Sequence, residues 1–309
     1  MSSARELESR IKSVKNTRQI TKAMELVSAT KMRKSQEVAL VSRPYAIQAL
    51  KLLSELEKRT EYVSAIMQKR EIKRTLIVLI AGDRGLAGSL NANVFRTLER
   101  EIPESLSDPD RYVFLTVGKK CEEYLTRKNI KPYVALKNYG DYAHTEEVKP
   151  FCNTVITGFL KGEWDKVLTV STHFKSTLRQ EVLVREILPV THKQLEETIK
   201  EITPETGRFS KSHQGEETEF MKNFDYLIEP DPESVLDYLA PRLIEIELYH
   251  LMLEANASEH SARMVAMKNA SENAEELKDE LTLIFNKSRQ AAITNEISEI
   301  TAGVEALRK

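Results

Sequence analysis

Three glycines at regular spacing are the clearest candidate for chemistry in this chain. Gly82, Gly85 and Gly88 follow the apolar run Thr75–Ala81 and precede a helix-like segment, as a phosphate-binding loop does in nucleotide-binding proteins. Their G-x-x-G-x-x-G spacing matches neither the dinucleotide fingerprint nor the GxxxxGK(S/T) loop, and no acidic residue closes the following strand in the expected way. The pattern therefore favours a tight turn in an α/β domain over a nucleotide site.

The other reactive side chains form no recognisable site. Cys121 and Cys152 lie near no CxxC pair or histidine cluster, so the sequence indicates neither a disulfide framework nor a zinc site. The six histidines are scattered, and His250 and His260 are better explained as interface or capping residues than as ligands. The sequence thus predicts no catalytic residue, metal or cofactor.

Both ends of the chain are nearly free of helix-breaking residues. No glycine lies in residues 1–81 or between Gly215 and Gly303, and no proline follows Pro241. Because glycine and proline interrupt helices most reliably, we predict an N-terminal coiled-coil helix over 1–58 and a C-terminal one over 231–309. Asp231 is a good N-cap for the second helix.

The first helix carries apolar residues at helical spacing. Their position around the helix shifts gradually and does not keep a strict seven-residue repeat, which predicts that the two terminal helices are loosely wound around each other. These residues are Leu7, Ile11, Val14, Ile20, Met24, Val27, Val41, Tyr45, Leu52 and Leu56. Pro44 should kink this helix or start a second one, because proline removes a backbone donor.

The middle of the chain has a different sequence pattern from the two ends. Short β-rich runs alternate with helix-like segments, which predicts a Rossmann-like α/β domain over 73–190 with a mostly parallel sheet. The runs are Thr75–Ala81, Tyr112–Val117, Tyr133–Leu136, Val167–Thr172 and Glu181–Leu188, the last two pairing as a hairpin. Residues 191–224 are predicted to form a charged loop, either a solvated connection or a regulatory element. The fold class is therefore α+β: a long antiparallel coiled coil of N- and C-terminal helices plus this central domain.

The predicted helices are too long to be buried in a compact domain. At about 1.5 Å per residue they would measure about 80 Å and 110 Å, so each must use the other as its apolar partner. About 20 residues of the longer helix would remain unpaired. This overhang carries an apolar stripe, which predicts a partner that encloses it: Ile293, Ile297, Ile300, Val304 and Leu307.

The composition argues against two further classes, nucleic-acid-binding proteins and membrane-spanning proteins. Charged residues make up 30 % of the chain and aromatic residues 6 %, with a net charge of −1, which is typical of a solvated helical surface and not of a nucleic-acid-binding protein. The N-terminus lacks the apolar stretch of a signal peptide, and no apolar run is long enough for a transmembrane segment. A membrane-bound partner remains compatible with this composition.

Several stretches resemble the gamma subunit of the F-type ATP synthase, the central stalk of that complex. They are ITKAMELVSATKMRKSQ (20–36), AGDRGLAGSLN (81–91), VGKKCEEYL (117–125), FDYLIEPDPESVLDYL (224–239) and the long segment from Ala257 to Gly303. They occur in the family's order and span nearly the whole chain.

The resemblance implies a non-catalytic subunit of a proton-translocating ATP synthase. Its paired helices would form the axle that couples proton flow through the membrane c-subunit ring to ATP synthesis at the catalytic beta subunits. The implied partners are the alpha, beta and epsilon subunits and the c-ring. The implied location is the cytoplasmic face of a bacterial plasma membrane, as a peripheral protein.

The resemblance also implies roles for individual residues. Arg289, Gln290 and Thr294 correspond to polar contacts with a beta-subunit loop, and Met24 to a position near the acidic lever of beta. The overhang residues Ile297, Ile300, Val304 and Leu307 would form the bearing tip. Residues 1–43 contain ten Lys or Arg and four Asp or Glu, a net of +6, which suits contact with an acidic lever.

The sequence departs from the family at two places that concern thiol chemistry. Ala87 stands where the family loop commonly has a cysteine, and the paired cysteines of the chloroplast redox switch are missing, so thiol regulation is not expected. The alternative function is a coiled-coil scaffold without ATPase partners, which predicts self-association through the terminal helices.

Overall fold

The structure, a computed structural model, describes residues 4–138, 145–191 and 228–307. Helices and strands within these residues are, in chain order, α1 (Ala4–Arg59), β1 (Thr75–Ile80), α2 (Leu90–Glu101), β2 (Tyr112–Val117), α3 (Lys119–Arg127), β3 (Val134–Leu136), α4 (Thr145–Leu160), β4 (Lys166–Phe174), β5 (Gln180–Leu188) and α5 (Pro232–Leu307). A 3₁₀ turn at Pro103–Leu106 separates α2 from β2. The predicted charged loop lies, apart from residue 191, outside the described residues.

The sheet has the order β3-β2-β1-β4-β5. β1 is parallel to β2 on one side and to β4 on the other, and β3 continues the parallel part beyond β2. β5 runs antiparallel to β4, with Val184 opposite Val170. The predicted parallel sheet and terminal hairpin are confirmed.

Each face of the sheet is covered by helices, because its strands alternate apolar side chains between two buried faces. On one face, Ile77 and Leu79 pack with Val94 and Leu98 of α2 and with Leu125 of α3. On the other face, apolar side chains of β1 join a larger core with α1, α4 and α5: Leu53, Leu56, Leu76, Val78, Phe151, Val155, Leu248 and Leu251. This second face is the one that receives the two long helices.

The chain divides into two compact units, residues 28–263 and the pair of segments 1–27 and 264–309. In the first unit, Thr60, just after the end of α1, lies 3.5 Å from Glu233 in the first turn of α5. In the second unit, Arg18 of α1 forms an ion pair with Glu275 of α5. The early part of one helix thus pairs with the late part of the other, which confirms the antiparallel coiled coil.

The contact face of α1 differs from the apolar stripe traced in the sequence. Small polar side chains recur there every seven residues, and Thr21, Ser28 and Ser35 are all buried. The apolar Ile20 and Val27 are 61 % and 54 % exposed. Leu7 and Leu56 of the predicted stripe are buried, but its central part was wrong: the buried positions there keep a seven-residue period, and their small side chains let a neighbouring helix pack closely.

Pro44 does not start a second helix. α1 continues without interruption from Ala4 to Arg59. A proline inside a helix leaves one carbonyl without its usual partner. That alternative of the sequence analysis was wrong, and a kink at this position stays a prediction.

Candidate functional site

The C-terminal helix α5 lies where many α/β proteins bind a ligand. In an open α/β sheet, the ligand crevice lies beyond the carboxyl ends of the strands where their order reverses, here between β1 and β4. Residues 251–260 of α5 are all buried, and Glu254 and Glu259 lie against this edge. A helix of the same chain therefore fills the crevice.

The three-glycine loop after β1 is closed by side chains of this helix and of α2. The amide of Gly82 donates a hydrogen bond to Asn91 Oδ1 at 3.0 Å. A Cβ on Gly82 would lie 2.5 Å from Cδ of Glu259. The Arg263 guanidinium, which pairs with Glu259, also donates to the carbonyl of Gly85 at 3.3 Å. The loop is the predicted tight turn, and its first amide is already occupied.

Asp83 in the same loop holds together two later parts of the chain. Its carboxylate accepts one hydrogen bond from the amide of Lys119, the first residue of α3, at 2.8 Å. It accepts another from the amide of Asn138, beyond β3, at 3.0 Å. A carboxylate at a helix N-terminus satisfies a free amide and complements the helix dipole. The Asp83 side chain therefore has a structural explanation that needs no ligand.

Glu254 forms the centre of a buried charged cluster between α5 and the sheet. Its Oε1 lies 2.9 Å from Nδ1 of His173 on β4 and 3.8 Å from Nε2 of His250, one turn earlier on α5. Its Oε2 lies 3.9 Å from a guanidinium nitrogen of Arg185 on β5. Burial disfavours the charged form, but the hydrogen bond from His173 and the nearby His250 outweigh it and lower the pKa of Glu254 to about 2.

Two more polar contacts continue along α5 toward its C-terminus. Ser261 donates to the carbonyl of Thr177, in the β4–β5 turn, at 2.8 Å, and Gln180 lies 3.4 Å from the same hydroxyl. His260 Nδ1 lies 3.2 Å from Arg263. Both His250 and His260 are buried in the interface of α5, in keeping with the predicted interface role.

Both cysteines are buried and free. Burial raises the pKa of the Cys121 thiol well above its usual value. Burial, with the negative charge of Glu245, raises that of Cys152 to about 12. Because the thiolate is the reactive form, both side chains are poor nucleophiles at neutral pH.

The C-terminal part of α5 is exposed, in contrast to the buried segment 251–260. Every described side chain from 289 to 304 is exposed, including Ile297 at 58 % and Ile300 at 67 %. At about 100° per residue, the candidate contact residues of this segment share an arc of about 140°. In order around the helix they are Arg289, Ile300, Ile293, Val304, Ile297, Gln290 and Thr294. An apolar centre is thus flanked on both sides by polar residues, the usual composition of a protein interface.

A second exposed apolar stripe runs along α1. Ile20, Met24 and Val27 lie at positions i, i+4 and i+7, and therefore on one face. Met24 is half-buried and the other two are exposed. The side chain of Leu307, the last of the predicted tip residues, lies outside the described part of the structure.

Known proteins resemble the chain over its full length. The sequence model of the family described as ATP synthase matches residues 3–307. The ATP synthase gamma chain of Roseiflexus castenholzii is 39 % identical over 310 residues, which covers 99 % of both chains. That of Opitutus terrae is 42 % identical over 303 residues, 98 % of both. The chain belongs to the ATP synthase gamma-chain family.

Solved structures agree with this gamma-chain assignment. The central stalk and c-ring structure of the Tetrahymena thermophila mitochondrial ATP synthase contains a chain with a TM-score of 0.56 and 25 % identity, covering 82 % of this chain and 99 % of that one. A chain of the Euglena gracilis mitochondrial ATP synthase gives 0.64, with 18 % identity and coverage of 98 % and 94 %, and so supports the fold. None of the helices in the described residues combines the length and apolar content needed to cross a bilayer.

Sequence reasoning missed the residues that seat α5 in this gamma chain. Glu254, His173 and Arg185 come from three separate elements, so no local pattern joins them. One signal was available: the segment 250–261 mixes charged and apolar residues around the whole helix, without an amphipathic period. Such a segment is typical of a helix enclosed on all sides by a partly polar environment.

Proposed function

We propose that this chain is the non-catalytic central rotor stalk of an F-type, proton-translocating ATP synthase. It couples proton flow through the membrane c-subunit ring to ATP synthesis at the catalytic beta subunits. Its partners are the alpha, beta and epsilon subunits and the ring. It acts as a peripheral protein on the cytoplasmic face of a bacterial plasma membrane. Family membership and the exposed interface-like face of residues 289–304 support this proposal.

The observation that carries the rotor function is the exposure of that terminal segment. An isolated helix with an unpartnered apolar stripe would be unfavourable in water, and large exposed apolar patches usually mark interaction sites. The stripe follows the helix axis, and its described side chains are 48–67 % exposed. A surrounding bearing made of other subunits would cover it without fixing one docking angle.

The proposed residue roles rest on the resemblance of these positions to the family. Arg289, Gln290 and Thr294 provide polar contacts with a beta-subunit loop, and Ile297 and its neighbours at the tip, Ile300, Val304 and Leu307, turn inside the apolar bearing. Met24 meets the acidic lever of beta at the centre of the α1 stripe. The basic N-terminal segment favours that approach through long-range attraction.

A non-catalytic role is supported by the occupied crevice at the edge of the sheet. Side chains of α5 meet the glycine loop where a nucleotide would bind in a dinucleotide-binding protein. Such a site would have to displace a helix that contributes to the main core. ATP chemistry therefore belongs to the partner subunits.

Purification of the native complex through a tag on this chain tests the proposal. We expect one copy of the chain with an excess of alpha and beta subunits, together with epsilon and the ring. A homodimer without ATPase subunits would instead support the scaffold function. Tight ATP binding and hydrolysis by the isolated chain would support an enzyme.

A further inference from the structure

The polar contacts between α5 and the sheet come from two opposite sides of the helix. At about 100° per residue, Glu254 and Ser261 lie within about 20° of one another, and Arg263 lies about 180° from Glu254. Glu254 contacts β4 and Ser261 contacts the β4–β5 turn. Arg263 contacts the loop after β1. The helix is therefore held at two faces by directional bonds.

These contacts are a costly way to stabilise an interface. Taking a carboxylate out of water is unfavourable, and replacing a buried ion pair with well-packed apolar side chains is often neutral or stabilising. Leu248, Leu251, Met252 and Leu253 already provide apolar contacts around the same helix. Hydrophobic contact alone is non-directional, so it does not fix how far the helix is rotated about its axis.

From this geometry we infer that Glu254 and His173 are positioning residues that fix the rotational setting of α5 on the sheet. Their hydrogen bond prevents the helix from turning within its apolar seat when torque acts between the α/β sheet and the C-terminal helix. The inference rests on the proposed rotor function, since a static scaffold needs no such fixed setting. Arg185 balances the carboxylate charge from the adjacent strand.

The test separates positioning from stability by removing both partners together. In Glu254→Gln/His173→Leu, no carboxylate is left buried without its histidine, and the new amide oxygen can still accept from Arg185, so the chain should fold and assemble. ATP hydrolysis and ATP-driven proton pumping are measured on membrane vesicles that contain the complete complex. We expect hydrolysis within about twofold of the parent. We expect the ratio of pumping to hydrolysis to fall about fivefold, the factor that corresponds to ~1 kcal/mol.

Two single variants serve as matched comparisons. His173→Lys supplies another side-chain N–H group that can donate to Glu254, so it should retain the parent ratio. Ser258→Ala removes a fully buried hydroxyl on the same helix that makes no hydrogen bond to the described residues, and it should also retain that ratio.

Three results would overturn the inference. They are a parent ratio in the double variant, loss of assembly in the double variant, and equal impairment in His173→Lys and the double variant. The second would show that the cluster is needed for folding and not for the setting of the helix. Failure of the proposed function would appear separately, as a parent preparation that lacks alpha and beta subunits.

Discussion

Gly82→Ala tests whether α5 fills the crevice beside the glycine loop. The new Cβ would lie 2.5 Å from Cδ of Glu259 and 2.7 Å and 2.8 Å from its two carboxylate oxygens. These atoms are the far end of a flexible side chain, but the carboxylate is paired with Arg263, so moving it aside weakens that pair. Overpacking of this kind costs about 1–3 kcal/mol, and weakening a charged hydrogen bond costs up to about 3 kcal/mol more. We take about 3 kcal/mol as the expected loss.

For a chain of this size, that loss corresponds to a melting temperature lower by about 5 °C. Differential scanning calorimetry of the purified full-length chain measures it. Gly85→Ala is the matched control from the same loop, because no atom lies within 4 Å of its added Cβ. That variant should melt within about 2 °C of the parent, or slightly higher, since alanine restricts the unfolded chain. Equal melting temperatures for the two variants would refute the packing of α5 on this loop.

Two further predictions concern α5. Because the pKa of Glu254 is lowered from 4.5 to about 2, its contribution to stability is complete above pH 4.5 and is lost as the pH falls toward 2. Between pH 7 and pH 3, urea unfolding should show the parent losing about 2 kcal/mol more than Glu254→Gln, and parallel losses would contradict the pKa shift. At the tip, removal of the residues after Thr301 should impair ATP hydrolysis by the complex less than Arg289→Ala/Gln290→Ala. Unchanged hydrolysis in that double variant would count against the proposed beta contact.

Local chemistry was sufficient to predict the ends of several elements. The strands begin and end within a few residues of the predicted runs, because β-branched residues bounded by turn residues mark them clearly. Asp231 caps α5 as predicted, and its Oδ1 accepts a hydrogen bond from the amide of Ser234 at 2.8 Å. That bond, with a second from the Ser234 hydroxyl, lowers the pKa of Asp231. These features depend on neighbours in sequence.

The helix α4 shows where local chemistry misleads. It contains Pro150 and Gly158, which both disfavour helix, and the sequence analysis did not predict it. Tertiary packing overrides these preferences. Phe151 and Phe159 are buried in the core, and a Cβ on Gly158 would lie only 2.0 Å from the ring of Trp164. The glycine therefore makes room for the indole, whose Nε1 donates to the carbonyl of Val155 at 3.0 Å.

The contact face of α1 could not be read from hydrophobicity alone. A rule that places apolar residues inside selects Ile20 and Val27, but Thr21, Ser28 and Ser35 are buried beside apolar residues such as Met32. Close approach of two helices favours small side chains at the seam, and the gain from close packing outweighs the smaller apolar area. The apolar residues Ile20 and Val27 are left exposed as a result.

The same reversal occurs within α5 and bears on function. Residues 251–260 are buried although they include Glu254, Glu259 and His260, and residues 289–304 are exposed although they include four large β-branched side chains. A buried charged residue can fix the orientation of a helix, because a hydrogen-bonded carboxylate accepts few arrangements of its partners. An exposed apolar stripe suits the proposed sliding contact with other subunits, because apolar contact tolerates many arrangements. Directional contacts along one segment of α5 and exposed apolar side chains along another are the two features that the proposed rotor function requires of this helix.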